Sequence, residues 1–165
     1  MYKRIALPFL GLIVAALPAL AAEPDYRTIR MEVDVAKPAA DVWKKVGGYC
    51  DISNWLSVDC KITSGEGGIG TVRSLRGGSV IEMMVAATPL SYGYTQPAVE
   101  GKFHNVYHGF LEARPVTATS SKLFYTLFLD ESDKPDAAAK DADVAARRTR
   151  FEGALKKMKE LAEAR

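Results

Sequence analysis

One carboxylate, Glu82, stands in an otherwise apolar segment, SVIEMMV, that has the character of a strand. Burial raises the pKa of a carboxyl group, so Glu82 could act as an acid or base near neutral pH. It could instead pair with Arg73 on the neighbouring strand and hold the sheet together, since structural ion pairs also perturb such groups. Either arrangement leaves a polar contact for a hydroxyl or amine of a ligand.

Four tyrosines, Tyr92, Tyr94, Tyr107 and Tyr125, fall in predicted strands. Tyrosine side chains give an apolar pocket a few hydroxyl groups that orient a ligand. Aromatic residues are also common in strands for reasons of packing alone. The clustering of these four favours pocket lining.

Two patterns that suggest metal or nucleotide chemistry do not meet its geometric requirements. His104 and His108 are four residues apart, which on a strand is about 13 Å, too far for two ligands of one zinc ion. Gly65, Gly67 and Gly70 form G-x-G-x-x-G, but a β-branched segment follows them where the nucleotide motif needs a helix. We therefore predict no metal ion and no cofactor, and we interpret the glycines as hairpin turns.

The N-terminus has the organisation of a bacterial signal peptide over residues 1–21. Lys3 and Arg4 precede an apolar run over residues 5–17, and small residues at Ala19 and Ala21 suit cleavage after Ala21. An uncleaved anchor is the alternative, although the run is shorter than the roughly 20 residues that a span needs. Cleavage lowers the formal charge from +2 to zero. We expect a periplasmic or secreted protein with no nucleic-acid partner and no stable membrane anchor.

The two cysteines, Cys50 and Cys60, are interpreted as a disulfide because an exported chain matures in an oxidising compartment. A redox or metal role is the alternative. The sequence has no C-x-x-C motif and no further ligands at a suitable spacing to support it.

Periodicity divides residues 22–165, a single predicted domain, into strands and helices. The predicted strands cover residues 27–35, 58–64, 70–76, 79–88, 91–96, 104–115 and 119–130. Two short helices are predicted near residues 37–46 and 49–56, and a long one from residue 137 to the C-terminus.

The long C-terminal helix carries one apolar stripe that is expected to pack on the sheet. Phe151 and Leu155 belong to it, together with Val144, Met158 and Ala162. Arg148 falls on the same stripe. Its aliphatic stem could cover the edge of the packed face, or its charge could face an acidic group of a ligand.

The order of these elements, with several short motifs, resembles the SRPBCC superfamily of START-like and pollen-allergen-like folds, specifically its polyketide cyclase/dehydrase-type members. The motifs are Pro38-Ala39-Ala40-Asp41-Val42-Trp43, Asn54-Trp55-Leu56, Gly67-Gly68-Ile69-Gly70-Thr71-Val72-Arg73-Ser74-Leu75, Leu90-Ser91-Tyr92 and Val106-Tyr107-His108-Gly109. The resemblance implies an α+β helix-grip fold. In that fold a curved antiparallel sheet of about seven strands wraps around the long helix and encloses a ligand cavity.

The resemblance also implies which side chains point into that cavity. They are Glu82, Tyr92, Tyr107 and Tyr125, with Met84 and Leu127 beside them. The stretch Lys122-Leu123-Phe124-Tyr125 departs from the relatives, which often carry a tryptophan there, so the closed end of the cavity is expected to differ in shape. The candidate ligand-binding residues are Glu82, Met84, Tyr92, Tyr94, Tyr107, Tyr125, Leu127, Arg148, Phe151 and Leu155.

Fold alone does not select a reaction in this superfamily. The leading expectation is a binding or carrier protein for a small hydrophobic or amphipathic molecule, such as a lipid, a polyketide-like aromatic or a terpenoid. The first alternative is a cyclase or dehydratase with Glu82 as general base and a tyrosine polarising a carbonyl. The second is an interaction module whose cavity has collapsed around bulky side chains and which exposes an apolar patch.

Overall fold

A computed structural model describes residues 23–98 and 106–164 of the chain. The predicted signal peptide with its cleavage site, and His104, lie outside the described residues. Within the part that is described, none of the helices has the length and apolar character needed to cross a membrane.

Seven strands form one antiparallel sheet. They are β1 (Tyr26–Val35), β2 (Cys60–Ser64), β3 (Val72–Leu75), β4 (Val80–Thr88), β5 (Ser91–Thr95), β6 (Tyr107–Pro115) and β7 (Ser121–Asp130). Their spatial order is β1-β7-β6-β5-β4-β3-β2. The first strand therefore pairs with the last, and the hairpins between them complete the sheet. Alternation of side chains in these strands gives the sheet one face that is covered by helices.

Three helices cover that face. They are α1 (Ala39–Val46), α2 (Ile52–Leu56) and α3 (Ala137–Glu163). The carboxylate of Asp136 caps α3 by accepting a hydrogen bond from the Ala139 amide at 2.8 Å. The long helix contacts β1, β7, α1 and α2. This arrangement confirms the predicted helix-grip fold.

The main differences from the predicted boundaries lie around the glycine-rich segment. Strand β2 begins at Cys60, and β3 begins only at Val72 because Gly65, Gly67 and Gly70 all adopt positive φ and end the pairing between these strands. Residues 49–51 form a turn, so α2 is shorter than predicted.

The core lies between the sheet and α3. Its fully buried side chains include Ile29 of β1, Leu127 of β7 and Leu155 and Met158 of α3. The indole N–H of Trp55 donates to the carbonyl of Val46 at 3.3 Å, which ties α2 to the end of α1.

A disulfide joins Cys50 to Cys60, with their Cα atoms 5.5 Å apart. It links the turn before α2 to the start of β2, as the sequence predicts. In the chain-entropy model, a disulfide that closes a loop of this length stabilises the folded protein by about 2–3 kcal/mol. The bridge also restrains Tyr49, the residue before Cys50. The carbonyl of Tyr49 takes part in the candidate site.

Candidate ligand cavity

A buried ion pair between Arg73 and Glu82 forms one end of the candidate site. The two residues are direct cross-strand partners on β3 and β4. Oε2 of Glu82 lies 2.6 Å from Nη2 and 2.8 Å from Nε of Arg73, and the two side chains are 5% and 0% exposed. The sequence left two roles open for Glu82, an acid or base and an ion-pair partner of Arg73. The structure shows the ion pair. Burial raises the pKa of the Glu82 carboxyl, and the charge of Arg73 acts in the opposite direction.

Aromatic rings surround the Arg73 guanidinium. Its central carbon lies 4.2 Å from the ring centroid of Tyr49, 4.8 Å from that of Tyr94 and 5.8 Å from that of Tyr92. Nη1 also donates to the carbonyl of Tyr49. These contacts stabilise a charge that has been removed from water. Sequence reasoning missed Tyr49, because the turn that carries it reaches Arg73 only through the tertiary fold.

Tyrosines fill much of the remaining interior. The hydroxyls of Tyr94 and Tyr125 form a hydrogen bond of 2.8 Å, and both side chains are buried. The ring of Phe151 from α3 packs 4.6 Å from that of Tyr125. Burial raises the pKa of Tyr94 and of Tyr125 well above the ordinary value, so both hydroxyls stay neutral. Bulky side chains inside the cavity are one of the two features that the collapsed-cavity alternative predicted.

A cavity of about 160 Å³ remains between α3 and the sheet. Its apolar wall consists of Ile52, Leu56, Val58, Leu75, Val80 and Phe151. Glu82 lies at its buried end, with Oε1 accepting a long hydrogen bond of 3.5 Å from the side-chain amide of Gln96. Arg76 and Arg150, which also line the cavity, are exposed to solvent. The cavity therefore runs from exposed arginines to a buried carboxylate.

The structure distributes the predicted ligand-binding residues over several environments. Those that line this cavity are Glu82, Tyr94, Tyr107 and Phe151. Tyr92 and Met84 are buried beside a different depression, which Trp43 and Tyr49 also line. Tyr125, Leu127 and Leu155 are buried in the core. Glu82 and Met84 of β4 and Tyr125 and Leu127 of β7 are all buried, and of these four only Glu82 lines the cavity.

Arg148 does not line the cavity. Its side chain is 45% exposed, and Nη1 donates to the carbonyl of Arg30 on β1 at 3.1 Å. The helix packs on β1 as well as over the cavity, and Arg148 lies on the β1 side. The arginines of α3 that line the cavity are Arg147 and Arg150. This corrects the suggestion that Arg148 faces a ligand and agrees with the alternative of a stem at the edge of the packed face.

A second buried carboxyl, Glu131, follows β7 and faces α3. Burial first, and then the hydrogen bond and negative charge of Asp143, raise the pKa of Glu131 to about 7, against the opposing charges of Lys134 and Arg147. The folded state thus binds more protons than the unfolded state between pH of about 4.5 and 7. The contribution of Glu131 to stability is therefore favourable at low pH and is lost as the pH rises through this window.

We accordingly expect Glu131→Gln to stabilise the protein at pH 8 relative to wild type, but not at pH 5. The amide keeps a donor for Asp143 and carries no charge. The difference in unfolding free energy between variant and wild type should rise by roughly 1–3 kcal/mol across this range. Urea denaturation at both pH values measures this difference. The control is Asp133→Asn, which removes an exposed carboxylate from the same segment between β7 and α3. A difference that stays constant with pH would contradict the prediction.

The chain matches one known protein family and resembles several solved structures. Residues 26–163 match the family described as polyketide cyclase/dehydrase and lipid transport. No curated protein sequence matches the chain significantly.

Several solved structures share the fold at low sequence identity. Ara h 8.0201 is 19% identical with a TM-score of 0.61, covering 84% of this chain and 98% of its own. The Zhui aromatase/cyclase from Streptomyces sp. R1128 is 18% identical with a TM-score of 0.63, covering 84% and 94%. Norcoclaurine synthase from Thalictrum flavum, in complex with dopamine and hydroxybenzaldehyde, is 14% identical with a TM-score of 0.60, covering 94% and 99%.

Proposed function

Since this chain belongs to the polyketide cyclase/dehydrase and lipid transport family, we propose that it binds one small amphipathic molecule in the cavity between α3 and the sheet. The cavity itself, at about 160 Å³, is the observation that carries the proposal. An engineered apolar cavity of about 150 Å³ holds benzene, so this volume suits a single aromatic ring better than a lipid chain.

The walls of the cavity support binding of a ring that carries a polar substituent. Apolar burial contributes about 25 cal/mol per Å² before the cost of ordering the ligand. Oε1 of Glu82, the amide of Gln96 and the Tyr107 hydroxyl are available to orient a ligand hydroxyl. On the same fold, norcoclaurine synthase holds dopamine and hydroxybenzaldehyde, each of which has one aromatic ring.

The proposal places this binding protein in the periplasm or outside the cell. The leader over residues 1–21 has the pattern of a signal peptide. The Cys50–Cys60 bridge is compatible with an oxidising compartment. In that setting the protein would carry or sequester its ligand.

Catalysis is the second candidate, and the position of Glu82 favours it. Arg73 engages one oxygen of this carboxylate, and the other oxygen is directed toward Gln96 and the cavity. A base in this place would abstract a proton next to a carbonyl group of the ligand, as cyclase or dehydratase chemistry requires. Phenylacetone in D₂O is a direct probe, because a general base accelerates exchange of its α-protons and a carrier does not.

The binding proposal is tested by calorimetry with a panel of neutral one-ring aromatics that includes 4-hydroxybenzamide. We expect 1:1 binding to the wild type and at least tenfold weaker binding to Val80→Phe, because the larger side chain fills the cavity. Ile81→Phe is the matched control, since the neighbouring side chain points to the outer face and is 38% exposed. Undiminished binding to Val80→Phe would place the ligand elsewhere and overturn the proposal.

A further inference from the structure

Three arginines, Arg76, Arg147 and Arg150, line the cavity near its exposed end. Arg147 is neutralised by the carboxylate of Asp143, and its guanidinium carbon lies 5.3 Å from the ring centroid of Tyr107. Among residues 23–98 and 106–164, no carboxylate lies within ion-pair distance of Arg76 or Arg150. Neither Arg76 nor Arg150 is therefore held in an ion pair at this end of the cavity, although the positive charge of Arg150 also acts on the Glu82 carboxyl and lowers its pKa against the effect of burial.

All three arginines line the same cavity of about 160 Å³. Burial, and then the positive charges of Arg76 and Arg147, lower the pKa of the Arg150 guanidinium. Like charges held together are destabilising unless an anion lies between them. The mouth of the cavity is thus electrostatically complementary to an acid. The buried end of the cavity, at Glu82, is not.

The backbone at Arg76 adds an independent observation. Arg76 has a φ of 53°, in the left-handed region that favours glycine, and glycines follow it at positions 77 and 78. A non-glycine residue in this conformation has a steric cost that glycine does not have. The turn would form more readily with glycine there, so the local backbone gives no reason for an arginine whose side chain lines the cavity.

We propose that the ligand is a single-ring aromatic acid whose carboxylate binds between Arg76 and Arg150 at the mouth of the cavity. This inference rests on the proposed binding function and specifies its ligand class. The ring packs against the apolar wall, and a hydroxyl at the far end donates to Oε1 of Glu82. Guanidinium groups suit this role because their N–H groups match the two oxygens of a carboxylate. A second acidic group at the Glu82 end would be repelled.

The test compares 4-hydroxybenzoate with 4-hydroxybenzamide, which have nearly the same shape and differ in charge. Calorimetry at low ionic strength should show the acid binding the wild-type protein at least tenfold more tightly, with the ratio falling as salt is added. Arg150→Gln and Arg76→Gly should each reduce the ratio about threefold or more. Arg148→Gln removes the same charge from the same helix outside the cavity and should leave the ratio unchanged.

Arg76→Gly separates loss of a ligand contact from loss of structure. Relief of the left-handed backbone should keep or raise the melting temperature while the affinity for the acid falls. Equal affinity of wild type for acid and amide would overturn the acid proposal and leave the binding function standing. Failure of both one-ring series to bind would overturn both. Tighter binding of decanoate than of 4-hydroxybenzoate would overturn the aromatic ligand class.

Discussion

Glu82→Gln is expected to lower the free energy of unfolding by roughly 3–5 kcal/mol, because it leaves the Arg73 guanidinium buried without a counter-charge. Arg73 is fully buried, and both of its close contacts to Oε2 of Glu82 depend on the negative charge. The rings of Tyr49 and Tyr94 offset only part of that loss. Urea denaturation of the wild type and the variant measures the effect.

A double variant separates the cost of breaking the pair from its net contribution. Arg73→Met with Glu82→Leu replaces both charges by apolar side chains, and such exchanges are often neutral or stabilising. We expect it to recover most of the stability lost in Glu82→Gln. The surface pair Glu112–Arg114, whose side chains are 40% and 57% exposed, provides the control, and Glu112→Gln should change stability by less than about 1 kcal/mol. Equal effects at Glu82 and Glu112 would mean that water reaches Arg73 in solution.

Gly109→Ala is expected to destabilise the protein by roughly 2–4 kcal/mol. Gly109 on β6 is the cross-strand partner of Tyr94 on β5, and the tyrosine ring lies directly over it. A Cβ atom at position 109 would be 2.2 Å from Cζ and 2.3 Å from the hydroxyl of Tyr94. The ring is 1% exposed and has little room to move, so its hydrogen bond to Tyr125 must break or the strands must separate.

Gly93→Ala is the matched control for this substitution. Gly93 on β5 is the partner of Phe110 on β6, and an added Cβ would lie 2.6 Å from the phenylalanine ring. Phe110 is 41% exposed on the outer face and can rotate into solvent. We expect a change within about 1 kcal/mol for Gly93→Ala in thermal or urea denaturation. A comparable loss in both variants would show that the strands, and not the buried ring, resist the added atom.

Gly109→Ala also bears on the binding site, since Tyr94 lines the cavity. Displacement of its ring should weaken binding of a one-ring aromatic even where the variant remains folded. Gly93→Ala, on the opposite face, should leave that binding intact. Calorimetry on both variants, at a temperature where both are folded, distinguishes a site effect from a stability effect.

The sequence by itself determined the order of the strands and helices. That order follows from the two-residue period of strands and the helical spacing of the C-terminal stripe, which are local properties of the chain. The resemblance carried by the motifs around Gly67–Leu75 added the helix-grip topology and the expectation that Glu82 and Tyr125 point inward. The Cys50–Cys60 bridge was also foreseeable, because two cysteines in a chain with a predicted signal peptide offer one intramolecular pairing.

Only the tertiary structure decided how the interior is filled and which charges reach the cavity. Tyr49 contacts Arg73 from a turn 24 positions earlier in the chain, a distance over which local periodicity carries no information. Helical spacing placed Arg148 on the packed stripe but could not fix the rotation of α3 against β1 and the cavity. That rotation turns Arg148 toward Arg30 and leaves Arg150 at the mouth. Helix rotation depends on side-chain packing across elements distant in sequence, and so it emerges only in the folded protein.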